Sequence, residues 1–133
     1  MKKLLYVLPL LVAMGITNPE NGLKKLAGNW QGSVLAISPY GVTLTISEEK
    51  GITGRYEYVI NKVKTEGTVT GRMEKDLLVL VMRGTKAWGE IRGKPVLNAA
   101  KDSFSLEAAV YIQYKHGDDE THPSEGSFAR IVS

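Results

Sequence analysis

With 133 residues and no cysteine, the chain is long enough for one domain around a single core. It cannot use disulfides, thiolate metal sites or a lipid-modified leader cysteine. Its 17 basic residues exceed its 14 acidic ones by three, and they form no patch of the kind that grips nucleic acid.

Met1-Lys2-Lys3 precedes an almost wholly apolar run from Leu4 to Met14, with small residues at Ala13 and Gly15. A positive start, a short apolar core and a small-residue cut site read as a secretory leader, residues 1–15. The run falls short of the roughly 20 apolar residues that span a bilayer. The mature protein is therefore expected to begin between about Ile16 and Asn21, to be secreted or periplasmic, and to insert into no membrane stably. Without Lys2 and Lys3 it carries 15 basic and 14 acidic residues, net +1. That charge is uneven: residues 21–101 hold 13 basic and 7 acidic groups, residues 102–133 hold 2 and 6.

Residues 16–25 read as a linker, turn-rich and then briefly helical in pattern, leading into one β-domain over 26–133. From Trp30 onward the apolar period is that of strands. In "GVTLTIS" Val42, Leu44 and Ile46 oppose Thr43, Thr45 and Ser47; in "GITGRYEYVI" Ile52, Tyr56, Tyr58 and Ile60 oppose Arg55 and Glu57. "EGTVTGRM" comes next, and then "DLLVLVMRG", a continuous apolar run suited to a strand covered on both faces. "KAWGEIRG" is shorter and more polar. "SFSLEAAVYIQYKH" alternates, with Phe104, Leu106, Ala108, Val110, Ile112 and Tyr114 on one face, and "SEGSFARIV" ends the chain.

Turn signals separate these runs at Pro39-Tyr40-Gly41, Glu49-Lys50-Gly51, Asn61-Lys62, Glu74-Lys75-Asp76, Gly84-Thr85 and Gly117-Asp118-Asp119. Eight strands joined mostly by hairpin-length gaps must be antiparallel neighbours. The expected fold is an all-β, eight-stranded up-and-down barrel, with a β-sandwich as the alternative. The two Thr-Gly-Arg triplets, at 53–55 and 70–72, mark equivalent bends in adjacent strands.

The "LAGNW" that enters the first strand, together with Arg130 in "SFARIVS", resembles the calycin superfamily of lipocalins, fatty-acid-binding proteins and avidins. That resemblance implies a barrel whose early tryptophan, Trp30, closes one end beneath Arg130 from the last strand. "EKGITGRYEY" and "GTVTGRMEKDLLVLVM" are similar to strand patterns of avidins. The biotin contacts of avidins do not carry over: Gly32 and Tyr58 replace an asparagine and a small hydroxyl residue, and only Trp88 remains to wall a site.

Trp88, Glu90 and Arg92 share one face of a short strand, which would orient a polar-ended apolar ligand if that face lined the barrel. The alternative is an outward, solvated face. Tyr56, Tyr58 and Tyr114 fall on otherwise apolar faces, as core residues or, in a hollow barrel, as ligand contacts. In "KHGDDETHP", His116, His122 and Asp118 are the residues that could hold a divalent ion, but their spacing fits no metal motif and a hairpin loop is the plainer reading. No nucleophile elbow or phosphate loop is present. The expectation is a non-enzymatic, cofactor-free barrel that binds a small apolar or amphipathic ligand, its oligomeric state open. A filled barrel acting through its surface, as an inhibitor or assembly module, is the second reading.

Overall fold

The computed structural model describes residues 19–36, 38–84, 88–114 and 117–131, so the leader lies outside the described residues. A two-turn helix, α1 (Pro19–Leu26), occupies most of what the sequence suggests is a linker. Nine strands follow: β1 (Gly28–Leu35), β2 (Pro39–Ser47), β3 (Gly51–Ile60), β4 (Val63–Glu74), β5 (Leu77–Arg83), β6 (Trp88–Leu97), β7 (Ser103–Gln113), β8 (Glu120–Pro123) and β9 (Gly126–Arg130). Among the described residues no helix is long and apolar enough to cross a membrane.

All pairings are antiparallel. Strands β1 to β7 pair in sequence, β7 pairs with β9, and β9 pairs with β1, from Trp30↔Arg130 to Val34↔Gly126. Eight strands thus form one closed ring, and the sandwich alternative falls because no break divides the ring into two sheets.

The ninth strand, β8, stands outside that ring. It lengthens the wall ahead of β9 by pairing Glu120–Pro123 with the same edge of β7, and no described strand pairs with its other edge. The acidic segment read as a hairpin loop is therefore partly a strand. Thr121 and His122 carry that pairing although loop-forming residues surround them.

Alternation sorts the side chains as the sequence leads one to expect over most of the barrel. Val42, Leu44, Ile46, Ile52, Tyr56 and Val69 point into the core, while Thr43, Thr45, Arg55 and Glu57 point outward. In β5 all five residues from Leu78 to Met82 are buried. Leu78, Leu80 and Met82 join the barrel core. On the outside, Val79 sits in a cross-strand row between Arg72 and Arg92, and Val81 between Thr70 and Glu90. The two Thr-Gly-Arg triplets meet only at their threonines, Thr53 opposite Thr70; Gly54 pairs with Val69 and Gly71 with Ile52, so the two glycines lie in different cross-strand rows. A side chain at Gly54 would strike the Thr43 carbonyl, so the wall bends closely there.

Strand β7 departs from the expected pattern. Lys94 pairs with Glu107 and Arg92 with Val110, so two residues, Ala108 and Ala109, oppose the single Gly93. This β-bulge turns Ala108 to a positive φ of 54° and reverses the faces beyond it. Phe104 and Leu106 point inward as expected, but Ala109 and Tyr111 are the next inward residues, rather than Ala108, Val110 and Ile112.

One end of the barrel is sealed. Trp30 is fully buried, edge-on to Phe104 at 4.7 Å between ring centroids, and Phe104 stacks on Phe128 at 4.9 Å. The indole Nε1 donates to the Leu26 carbonyl at 2.7 Å, which docks the end of α1 onto the ring. The Arg130 guanidinium lies 4.3 Å from the Trp30 ring centroid. It also donates to the Ala27 carbonyl at 2.8 Å and to the Lys101 carbonyl at 3.1 Å. A single side chain thus joins the helix exit, the last strand and the β6–β7 turn.

Candidate functional site

The opposite end is built from tyrosines. Tyr40 starts β2 on the inner face, opposite Val34; Tyr56 and Tyr58 follow each other along the inner face of β3; Tyr111 enters from β7. The Tyr40 ring lies 4.4 Å from Tyr58 and 5.3 Å from Tyr56, all within 19° of parallel. Two glycines leave room for these rings. A side chain at Gly67, across from Tyr56 on β4, would land inside the Tyr56 ring, and one at Gly89 on β6 would meet the Tyr111 ring and hydroxyl.

Burial is the main cause that raises the Tyr40 hydroxyl well above the ordinary phenol range, with the nearby Tyr111, Tyr58 and Tyr56 adding to it and a hydrogen bond to Tyr58 contributing. Burial likewise pushes Tyr56 up, helped by Tyr58, and Tyr111 up, helped by Tyr56 and Tyr58. Phenols so placed remain neutral at ordinary pH and keep a proton to donate.

Two further groups face this end. His122 sits opposite Tyr111, with the rings 6.4 Å apart and near parallel, and its Nε2 is 3.3 Å from Glu120 Oε1. Gln113 follows Tyr111 on the inner face, in one row with Val69, Met82 and Gly89. Its Oε1 is buried and accepts no hydrogen bond among the described residues. An unpaired buried acceptor costs about 1–3 kcal/mol, so it is a position at which a donor would be welcome.

The site residues expected from the sequence divide into two groups. Tyr56 and Tyr58 belong to the inner cluster just described. Trp88, Glu90, Arg92 and Tyr114 come together too, but on the outer surface of β6 and the end of β7, because Ile91 between them fills the core. Glu90 is buried there although it faces outward. Its Oε2 accepts from Arg92 Nε at 2.5 Å and its Oε1 from the Tyr114 hydroxyl at 3.0 Å. Arg92 also reaches Glu74 at 3.2 Å, and Arg72 beside Glu74 holds that carboxyl below its usual range.

Trp88 remains 43% exposed, and its indole already has two partners: Tyr114 stacks on it at 4.1 Å between centroids and the Arg83 guanidinium lies over the ring at 5.2 Å. This outer cluster is a strut of groups paired with one another. Of the three metal candidates, His116 lies outside the described residues and Asp118 is exposed. Among the described residues no three histidine or acidic side chains converge.

Sequence reading missed Tyr40, Tyr111 and Gln113. Tyr40 lies in a segment that looks like a turn. Tyr111 and Gln113 are turned inward by the bulge, whose trace in the sequence is the Ala108-Ala109 pair opposite Gly93. No family model matches the chain, nor does any curated protein or solved structure.

Proposed function

We propose that this is an exported, non-enzymatic, lipocalin-like barrel that takes up a small amphipathic molecule at its tyrosine-lined end. The observation that carries the reading is the Gln113 Oε1 atom, buried without a donor and on the inner face beside Tyr111. The neutral hydroxyls and stacked rings of the tyrosines at the same end suit a ligand with an apolar, ring-containing body and an N–H or O–H group. The leader-like start of the sequence supports export. The second reading, a barrel that acts through its surface, draws support from the densely filled Trp30 end.

One titration separates the two. The amphipathic dye anilinonaphthalene sulfonate should gain fluorescence with the wild-type protein, and Gln113→Leu or Tyr58→Ala should weaken its binding about tenfold or more. Trp88→Ala, on the outer strut, should leave binding unchanged. Dye binding indifferent to both inner substitutions would overturn the ligand reading in favour of the surface one.

A further inference from the structure

Beyond the tyrosine cluster, β3 and β4 continue as a ribbon that has lost its neighbours. Pairing of β2 with β3 ends at Gly41↔Glu57, and pairing of β4 with β5 ends at Thr68↔Arg83. From Tyr58↔Thr65 to Ile60↔Val63 the two strands pair only with each other among the described residues. The turn between them places Asn61 and Lys62 at φ of 52° and 65°, the tight two-residue turn that matches strand twist.

The apex of this ribbon is apolar and bare. Val59, Ile60 and Val63 are 65%, 51% and 64% exposed, and they are three of the six large hydrophobic side chains exposed among the described residues. Their grouping at one protruding tip is unlike the scattered exposure expected of an ordinary surface. Charge is ordered along the same ribbon. Lys62 and Lys64 are at the apex, whereas Glu57 and Glu66 face each other nearer the barrel. Lys64 pairs with Glu57 at 3.0 Å and Arg55 with Glu66 at 3.4 Å, so both carboxylates are balanced, and Lys62 has no ion pair among the described residues.

We infer that the β3–β4 ribbon docks the barrel onto an anionic lipid surface, with Val59, Ile60 and Val63 entering the interface and Lys62 meeting headgroups. The free ribbon is about 10 Å long at about 3.3 Å per residue, which matches the depth of about 5–10 Å to which interfacial elements bury apolar groups. Lys62, in the turn itself and flanked by Ile60 and Val63, complements an anionic membrane. A second copy is a poorer occupant, since a two-fold contact between tips sets Lys62 against Lys62. Docking in this way turns the tyrosine-lined end toward the lipid. The lipid contact itself stands whether or not those tyrosines hold a ligand.

The chain has no cysteine, so single-cysteine labelling is direct. An environment-sensitive dye on Val63→Cys should shift to the blue when the protein meets vesicles of phosphatidylcholine and phosphatidylglycerol in a two-to-one mixture. The same dye on Thr45→Cys, on the barrel side, should not respond. Val63→Asp and Lys62→Glu should each weaken sedimentation with these vesicles about tenfold or more, with the melting temperature unchanged because both sites are exposed. Pure phosphatidylcholine, or about 0.5 M salt, where the Debye length is only a few ångströms, should weaken it similarly. No sedimentation with anionic vesicles overturns the inference, as does sedimentation that ignores both substitutions. A dye response to protein concentration alone, without vesicles, overturns it in favour of self-association. Dye-ligand binding at the tyrosines is read separately, so failure here leaves that reading standing.

Discussion

The two ends of the barrel use aromatic side chains in opposite ways. At the sealed end Trp30, Phe104 and Phe128 pack edge-on and stacked, and the one polar atom among them, the indole Nε1, has its partner in Leu26. At the other end Tyr40, Tyr56, Tyr58 and Tyr111 crowd their hydroxyls together beside an unpaired Gln113 oxygen. The first arrangement is complete within the chain, whereas the second leaves an acceptor without a partner among the described residues. On the proposed reading, stability and ligand recognition fall to different ends of one core.

The contrast is sharpest in the expected cost of truncation. Trp30→Ala should destabilise the protein by about 3–5 kcal/mol, since it empties a fully buried site and removes the dock for α1. Chemical denaturation would measure this, and a cost as small as that of the tyrosine substitution below would erase the distinction between the ends. Tyr40→Phe should cost only about 1 kcal/mol, because it removes one hydroxyl and leaves the stacked ring in place.

Arg130 tests whether the sealed end acts as a unit. Trp30 and Arg130 touch across the β1–β9 closure, so a double-mutant cycle on the two should show coupling of about 0.5 kcal/mol or more. Additive losses would mean that the guanidinium serves its carbonyl partners alone.

The bulge that separates the two ends offers a smaller, opposite effect. Ala108 holds a left-handed conformation in an exposed position, so Ala108→Gly should be neutral or stabilising by up to about 1 kcal/mol. A clear loss of stability would show that the methyl group is needed at the bulge.

Alkaline titration distinguishes the ends without substitution. Tyr40, Tyr56 and Tyr111 hold their protons more tightly in the folded protein than in the unfolded chain, where a phenol titrates near pH 10. Their stabilising contribution is complete below about pH 10 and is lost as pH climbs through the raised folded values. Phenolate absorbance should therefore lag behind that of free tyrosine until alkali unfolds the barrel. Three or more tyrosines ionising freely near pH 10 in the folded protein would contradict a buried cluster.

Much of the barrel could be read from local pattern. Alternation in β2 and β3 assigned Val42, Leu44, Ile46, Ile52 and Tyr56 to the core, because a strand's side-chain period is two whatever surrounds it. Hairpin-length gaps dictated antiparallel order, since no short link can join parallel strands. The continuous apolar run of β5 signalled burial on both faces, and Val79 and Val81 are indeed covered among outward-facing polar side chains. What periodicity could not supply was phase. One extra residue at Ala108 reverses every side chain after it, and so decides that Tyr111 and Gln113 face inward while Tyr114 joins Trp88, Glu90 and Arg92 outside. Nor can a local pattern show which strand edges lose their neighbours, as β8 and the β3–β4 ribbon do. Inward and outward, paired and bare, are relations between distant segments, and only closure of the ring established them.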